Sequence, residues 1–284
     1  MNIVMTGHCG LIGMTLKKRL EEEGHEVVLA IDNRDAMPID VLENVIDMEG
    51  KIDLFVHLAD FCKINKCVKY PSLGHLNGVN MFRIMEFCRR NKIPKIVYFS
   101  SSRVLSPERN PYTAGKMYGE ELCKTYHDCY GIDYQIIRPS TVYGSFNDQT
   151  GRVVDIFIRN ALNNRDLVIY GDPKTKTLDF THVSDFVDGV MLAISGDWNT
   201  DYNISGSEEF RVYDLAEMII EKTGNKSKII IEPAETAQPQ KVKLDITKIA
   251  DLGYVPKIHL EKGISDCIEF YKNLLSYHKS LAND

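Results

Sequence analysis

The sequence predicts an α/β fold built on a doubly wound parallel sheet, followed by a smaller C-terminal α/β lobe. Short apolar runs alternate with helical patterns over residues 1–145, as a parallel sheet with helices on both faces requires. A glycine-rich turn joins the first apolar run to the first helix. The remainder, 146–284, predicts the second lobe, with a segment at about 176–195 returning to the first domain.

The first element is a buried strand that runs into this glycine turn. The apolar run Ile3–Met5 is followed by three glycines within TGHCGLIG. In such a turn the first glycine permits the tight bend, the second lets backbone approach a pyrophosphate, and the third lets helix and strand pack closely. The helix N-terminus then offers unpaired N–H groups and a favourable dipole to phosphates. The predicted dinucleotide contacts here are Gly7, Gly10, Leu11, Ile12 and Gly13.

The end of the second strand bears on which dinucleotide binds. The run Glu26–Ile31 is followed by Asp32 and Asn33, about twenty residues after the glycines. A carboxylate here accepts hydrogen bonds from the adenosine ribose and repels a 2′-phosphate, which favours NAD. Arg34 opposes this reading because a guanidinium can pair with the 2′-phosphate of NADP, and a plain polar strand end is the third alternative. We expect NAD.

Composition excludes several classes of function. The chain has 284 residues and a formal net charge of -6, which argues against nucleic acid as a partner. Its seven cysteines show no paired metal-ligand spacing, so we expect free thiols in a reducing compartment and no metal site. The first strand begins at residue 2 and no apolar run approaches 18 residues. We therefore expect a cytoplasmic protein with no membrane partner.

Alternating elements continue beyond Asp32. Asp40 and Val41 precede a helical stretch, and the next buried strand ends on His57, Leu58 and Ala59, at the sheet edge that would face a cofactor. A purely structural His57 is an equal alternative. The predicted bounds are 42–51 for the helical stretch, Leu54–Leu58 for the strand, Asn77–Asn91 for a long helix after a loop at Pro71, and Ile96–Phe99 for a strand that runs into three serines.

A tyrosine and a lysine open the next predicted helix. Tyr112 and Lys116 are spaced i and i+4, so they share one helix face. An ammonium beside a phenol favours the phenolate, and lowering a tyrosine pKa to neutrality takes about 4 kcal/mol of differential interaction. The spacing is common by chance, but the serines on the preceding strand end strengthen the prediction of an acid/base site.

Together these features resemble the extended short-chain dehydrogenase/reductases, specifically their nucleotide-sugar epimerase/dehydratase family, over essentially the whole chain. The matching motifs are the glycine turn at 6–13, the acidic strand end at Asp32, the adenine contact at 40–41, the HLAA segment at 57–60, the serine motif at 100–106, the pair Tyr112 and Lys116, and the Arg-Pro-x-x-Val-Tyr-Gly motif at 138–144.

The resemblance implies a Rossmann-type NAD-binding domain, a substrate-binding lobe that takes a nucleotide sugar, and a homodimer formed through the helix after Asn77 and the helix that carries Tyr112. Counting back three residues from Val104 makes Ser101 the catalytic hydroxyl, with Ser102 as the nearest rival. Catalytic roles then fall on Ser101, Tyr112 and Lys116. Further implied cofactor contacts are Asn33, Asp40, Val41, Leu58, Ala59, Asn77, Tyr112, Lys116 and Pro139, and implied substrate contacts are Ser101, Ser102, Thr141, Lys176 and Lys241.

The chain departs from the family pattern in its second lobe. Relatives carry an arginine that clasps the nucleotide pyrophosphate where this chain has Leu178, and many have asparagine where it has Thr141. Lys174 or Lys176 is a possible substitute, although a lysine lacks the bidentate fork of arginine.

The serine motif narrows the implied chemistry. Dehydratases of the family place Asp-Glu directly after the catalytic hydroxyl, and decarboxylases carry a glutamate at the second position, where this chain has Ser102 and Arg103. An NAD-dependent 4-epimerase or an NAD(P)H-dependent 4-keto-sugar nucleotide reductase remains. Asp32 favours the epimerase through NAD, whereas the compact length and the altered phosphate contacts favour a reductase or an unusual substrate. A non-catalytic dinucleotide-binding regulator is the alternative of another class, against which the tyrosine–lysine pair argues.

Overall fold

The structure, a computed structural model, describes residues 1–32, 51–146, 151–206 and 208–281, with side chains up to residue 277. The cofactor contacts predicted at Asn33, Asp40 and Val41, the opposing Arg34, and nearly all of the helix predicted at 42–51 lie outside these described residues. Within them, no helix is both long and apolar enough to cross a membrane.

The described chain alternates strands and helices from its first residues. The strands are β1 (Asn2–Thr6), β2 (Glu26–Ile31), β3 (Leu54–His57), β4 (Lys95–Phe99), β5 (Asp133–Pro139), β6 (Thr141–Tyr143), β7 (Leu167–Tyr170), β8 (Thr177–His182), β9 (Thr200–Ile204), β10 (Glu209–Arg211) and β11 (Ile229–Glu232). The helices are α1 (Leu11–Glu22), α2 (Ile64–Lys69), α3 (Pro71–Arg90), α4 (Pro111–Tyr130), α5 (Val153–Leu162), α6 (Val183–Ser195), α7 (Val212–Thr223), α8 (Thr247–Ala250) and α9 (Leu260–Leu281).

The chain divides into two compact units. Unit 1 comprises Met1–Pro139, Val187–Ile204 and Asp245–Tyr254, and unit 2 comprises the described parts of Ser140–Phe186, Ser205–Leu244 and Val255–Asp284. The segment 187–204 therefore belongs to unit 1, whereas β8 belongs to unit 2. The assignment of these units to cofactor binding and substrate binding remains a prediction.

Unit 1 contains a sheet in the order β2-β1-β3-β4-β5-β9, in which every pairing is parallel. Its central strands β1, β3 and β4 are buried apolar runs, as expected of a parallel sheet, whereas the edge strand β2 is only partly buried. The carboxyl ends of β1, β3 and β4 meet at one edge, so residues just after Thr6, His57 and Phe99 are brought together. The predicted α/β class and parallel sheet are confirmed.

Unit 2 is a smaller α/β assembly. It holds a sheet in the order β10-β8-β6 and a parallel pair of β11 and β7. Its apolar core joins α5, α7 and α9 to these strands and includes the side chain of Leu178.

Helix α3 begins at Pro71, six residues before the predicted start at Asn77. Proline fits the first helical turn because its missing N–H has no partner to lose there, so Pro71 starts the helix instead of standing in a loop before it. Helix α4 begins with Asn110 as its N-cap and Pro111 in the first turn. The Asn110 side chain accepts from the Thr113 N–H at 3.0 Å, and the Asn110 N–H donates back to Thr113 Oγ1 at 3.0 Å, which fixes the turn that carries Tyr112.

The helices α3 and α4 pack at van der Waals distance through glycines. A Cβ atom added at Gly115 would lie 2.2 Å from the carbonyl oxygen of Gly74, a distance that only movement of the α3 backbone could relieve. Close packing of the two helices therefore requires glycine at position 115, one residue before Lys116.

We expect Gly115→Ala to destabilise the protein by about 1–3 kcal/mol, because the added methyl group overpacks the α3–α4 interface. The measurement is chemical denaturation followed by circular dichroism. Thr125→Ala, at an exposed position of the same helix, is the matched control and should change stability by no more than about 0.5 kcal/mol. Equal stability of Gly115→Ala and the unmodified protein would contradict the close approach of Gly115 to the Gly74 carbonyl oxygen.

Candidate active site

The glycine turn after β1 forms a tight cradle at the start of α1. Gly7 has φ of 78°, a left-handed conformation that favours glycine, and its N–H donates to the Ile31 carbonyl at 2.8 Å. A Cβ atom at Gly13 would lie 2.1 Å from the Gly7 carbonyl oxygen, so the helix packs directly against the turn. Gly10 is the N-cap and supplies no side-chain cap to the N–H groups of the first turn. This geometry suits a bound phosphate.

Asp32 lies at the carboxyl end of β2, beside this cradle. Its side chain is 5% exposed, and Oδ2 accepts the Cys9 N–H at 3.3 Å. The potential metal-ligand atoms of His8, Cys9 and Asp32 lie within 4.8 Å of one another. This group is part of the cradle, and the predicted contact of Asp32 with a cofactor ribose stays a prediction. The turn and Asp32 together fit NAD.

The ammonium of Lys116 is buried where three strand ends meet α4. It donates to Asp60 Oδ2 and to the Phe99 carbonyl oxygen, and it lies 5.0 Å from the centroid of the Tyr98 ring. The Lys116 and Asp60 side chains are each 4% exposed. Burial alone would lower the pKa of Lys116, but Asp60 and Tyr112 raise it by more, so the ammonium stays charged at neutral pH.

Tyr112 lies one helical turn before Lys116 and is also buried. The Ser101 hydroxyl is near enough to the phenol to lower its pKa, so the three residues predicted as catalytic are in one cluster. Ser101 Oγ accepts the Arg103 N–H at 3.2 Å, which caps the 3₁₀ turn Ser102–Leu105 and fixes the serine. This proximity to Tyr112 favours Ser101 over Ser102 as the orienting hydroxyl.

The net shift of the Tyr112 pKa runs against the expectation from the sequence. Burial raises this pKa, Lys116 and Ser101 lower it, and nearby Cys62 and Asp60 raise it further. The net direction is upward, chiefly because the low-dielectric surroundings disfavour the phenolate, and Cys62 and Asp60 add smaller contributions in the same direction. The pattern of Tyr112 and Lys116 alone could not reveal the counterion.

Ser100 is held by an ion-pair network behind the cluster. Its hydroxyl donates to Glu120 Oε1, and the Arg138 guanidinium binds both oxygens of Glu120, at 2.8 and 2.7 Å. Arg138 also donates to Asp201 Oδ2 at 2.8 Å. These bonds tie β4, α4, β5 and β9 together, so Arg138 stabilises the strand end that carries Ser101. Pro139, a predicted cofactor contact, ends β5 beside it.

His57 and Asn77 have structural roles in the described chain. Burial lowers the pKa of His57 to about 3, with a further lowering by Lys116, so its ring is neutral, and Nδ1 hydrogen-bonds Thr6 Oγ1 at 2.7 Å. The Asn77 side chain accepts the Phe61 N–H at 2.9 Å and donates to the Phe61 carbonyl at 3.1 Å. It therefore fixes the segment after Leu58 and Ala59, and a direct cofactor contact by Asn77 stays a prediction.

Asp60 was not recognised as functional from the sequence. It occupies the last position of the HLAA match, where the family has alanine and this chain reads His57-Leu58-Ala59-Asp60. That departure was the available signal. The Asp60 carboxylate binds the Lys116 ammonium and so places a negative charge near Tyr112, the candidate acid/base.

The structure gives less support to the candidate substrate contacts of unit 2 than to the cluster of Ser101, Tyr112 and Lys116. Leu178 is 7% exposed and packs in the unit 2 core, so the position of the family's arginine carries no charge. The Lys176 ammonium donates to the Tyr170 carbonyl, and Lys241 lies 3.6 Å from Glu209 with its side chain 70% exposed. Thr141 begins β6. The roles of Thr141, Lys176 and Lys241 stay predictions.

We expect Asp60→Asn to lower the pKa of Tyr112. Asp60 raises that pKa, so removing its negative charge lets the phenolate form at lower pH. The measurement is an ultraviolet absorbance titration of phenolate, with Tyr112 isolated as the difference between each protein and its Tyr112→Phe counterpart. Asp128→Asn, on an exposed position of α4, is the control and should leave the Tyr112 pKa unchanged. An unchanged or higher pKa in Asp60→Asn would contradict the assigned role of Asp60.

Comparison with known proteins places this geometry in a family. Residues 3–205 match the model of the NAD dependent epimerase/dehydratase family. The chain is 30% identical over 322 residues to UDP-glucuronic acid decarboxylase 5 of Arabidopsis thaliana, an alignment that covers 99% of this chain and 92% of the relative. It is 28% identical over 313 residues to UDP-glucose 4-epimerase of Mycolicibacterium smegmatis, covering 96% and 99% of the two chains.

A solved structure agrees in fold. UDP-glucose 4-epimerase of Thermus thermophilus, in complex with NAD, superposes with a TM-score of 0.85 at 22% identity and covers 96% of this chain and 99% of its own. The family match spans the glycine turn, Asp32 and the cluster of Ser101, Tyr112 and Lys116. This chain belongs to the NAD-dependent epimerase/dehydratase family.

Proposed function

We propose that the protein is an NAD-dependent nucleotide-sugar epimerase that inverts a sugar carbon, C4. The single observation that carries the proposal is the buried cluster in which Ser101 lies near Tyr112 and Lys116 stands one turn beyond. A proton carrier, an orienting hydroxyl and a fixed cation are the groups that oxidation and reduction of a sugar carbon require of the protein. The 4-epimerases among its relatives support this choice.

Each residue of the cluster has a distinct task. Tyr112 takes the proton from the sugar hydroxyl and returns it at the end of the cycle, and Ser101 orients the same substrate oxygen. Lys116 holds positive charge beside the phenol and is fixed by Asp60 and the Phe99 carbonyl. NAD held at the glycine turn and Asp32 would supply the hydride acceptor and donor for the sugar carbon and, when oxidised, a positive charge that favours the phenolate. Since burial raises the Tyr112 pKa, the phenol is the resting form without that added charge.

The cofactor contacts are proposed on the same basis. We assign the phosphates to Gly7, Gly10, Leu11, Ile12 and Gly13, and the adenosine ribose to Asp32. The remaining contacts lie at the same sheet edge as the cluster of Ser101, Tyr112 and Lys116. Leu58 and Ala59 follow β3, and Pro139 ends β5.

Arg103 argues against two other reactions of the family. Elimination and decarboxylation use carboxyl groups next to the serine, whereas this chain places a guanidinium there, close enough to Tyr112 for their charges to interact. We therefore do not assign to this chain the reaction of the similar UDP-glucuronic acid decarboxylase.

The function is tested by incubating the purified protein with a panel of nucleotide sugars, with and without NAD, and identifying the products. An epimerase converts a sugar to its C4 epimer with no net change in NADH absorbance. Stoichiometric consumption of NADH or NADPH with a 4-keto sugar would instead identify the reductase. Dinucleotide binding without any conversion would identify the regulator.

We expect Tyr112→Phe to reduce turnover by about 10²- to 10⁴-fold while substrate and NAD still bind, because the change removes only the phenolic oxygen. Product formation gives the turnover, and calorimetry gives the binding. Ser101→Ala should also reduce turnover, and Ser102→Ala is the matched control with a smaller effect, because Ser101 is the serine that influences the Tyr112 pKa. Full activity in Tyr112→Phe would refute the assignment.

We further propose that the protein is a cytoplasmic homodimer formed through α3 and α4. Leu76, Phe82, Met117 and Tyr118 are large apolar side chains on these helices, between 37% and 50% exposed. Apolar groups gathered on one helix pair are typical of a subunit interface. The cysteines of the described chain are all free thiols, which supports a reducing compartment.

Light scattering at micromolar concentration should give twice the chain mass of 32.3 kDa. Phe82→Glu should give the monomer, because a charge in an apolar interface is costly. Val255→Glu, a matched change at an exposed site of unit 2, should remain dimeric. A monomeric unmodified protein would count against the proposal.

A further inference from the structure

Arg103 carries a partly buried charge that the reaction described above does not use. It lies in the 3₁₀ turn directly after Ser101, and its backbone N–H is fixed by the Ser101 hydroxyl at 3.2 Å. Within the described chain, its guanidinium nitrogen Nη1 is buried and has no hydrogen-bond partner. The charge of the guanidinium interacts with the phenol of Tyr112. An unsatisfied donor thus lies beside the group that we assign to proton transfer.

The neighbouring acid does not neutralise this guanidinium. Glu108 accepts the Ser106 hydroxyl and interacts with Arg103 only through its charge. Burial lowers the pKa of Arg103, while Tyr112 and Glu108 raise it by less. Leaving the buried Nη1 donor without a hydrogen-bond partner is unfavourable, and a bound anion that accepts from it would remove that cost.

We propose that Arg103 binds a carboxylate carried on the sugar, so that the preferred substrate is a nucleotide-linked uronic acid. This inference rests on the proposed function. In a hexopyranose, C4 lies across the ring from C1, which bears the nucleotide diphosphate, and next to C5, which bears C6. A cation beside the residue that acts at C4 is therefore near C6 and far from the diphosphate. A carboxylate at C6 is the anion that this position fits.

The test compares UDP-glucuronate with UDP-glucose, which differ only at C6. Values of kcat/KM for both are measured for the unmodified protein, Arg103→Gln, Arg103→Lys and the control Arg109→Gln, an exposed arginine of the same segment. The unmodified protein should prefer UDP-glucuronate. Arg103→Gln should lose about 10- to 100-fold on UDP-glucuronate beyond any loss on UDP-glucose, because only that substrate loses a charge-assisted hydrogen bond. Arg103→Lys should retain part of the preference, and Arg109→Gln all of it.

Binding separates this inference from the proposed function. Calorimetry on NAD-loaded Tyr112→Phe should show tighter binding of UDP-glucuronate than of UDP-glucose, and Arg103→Gln in that background should remove the difference. Tighter UDP-glucuronate binding without turnover in the unmodified protein would support the carboxylate site and refute the epimerase. Equal affinity for both sugars, equal losses on both in Arg103→Gln, or binding of neither would overturn the inference, and equal affinity with normal epimerisation would leave the proposed function standing.

Discussion

The ion pair between Lys116 and Asp60 is the interaction on which the rest of the candidate site depends. It joins the segment after β3 to α4, and the same ammonium also binds the carbonyl that ends β4. Removing one partner of a buried pair commonly costs about 3–5 kcal/mol, because the other charge is left uncompensated. The position of Tyr112 is thereby coupled to the sheet edge at which the glycine turn and Asp32 also lie.

The pair also sets the electrostatic state of the phenol. A lone ammonium would lower the pKa of Tyr112, but its counterion and the surrounding burial raise it. The site without added positive charge therefore holds a neutral tyrosine and a charged lysine. Activation of the phenol then depends on charge brought by the cofactor, which links proton transfer to cofactor binding in a way that a solvent-exposed tyrosine and lysine would not achieve.

Much of this arrangement could be predicted from the sequence. Alternating apolar runs and helical patterns predicted the parallel sheet, and the motifs around Tyr112 predicted the family that the comparisons confirm. The start of α3 was misplaced because Pro71 reads equally as a loop or as a first turn. The role of Asp60 was missed because a long-range ion pair has no periodicity and depends on which strand ends become neighbours. Arg138 was matched as a motif, but its contacts with Glu120 and Asp201 emerge only when β5 and β9 pair.

Three cations of unit 1, Lys116, Arg138 and Arg103, differ in whether neighbouring negative charges compensate for the effect of burial on their pKa. Lys116 is paired with Asp60, and Arg138 with Glu120 and Asp201, and in both cases the counterions raise the pKa against the effect of burial. For Arg103 the balance is reversed, because burial outweighs the attraction of its neighbours. The first two charges are satisfied by the fold itself and stabilise strand ends. The third has a buried Nη1 donor without a hydrogen-bond partner in the described chain, and a bound anion would supply one. That unpartnered donor, and not the mere presence of an arginine, is the observation on which the proposed carboxylate site at position 103 rests.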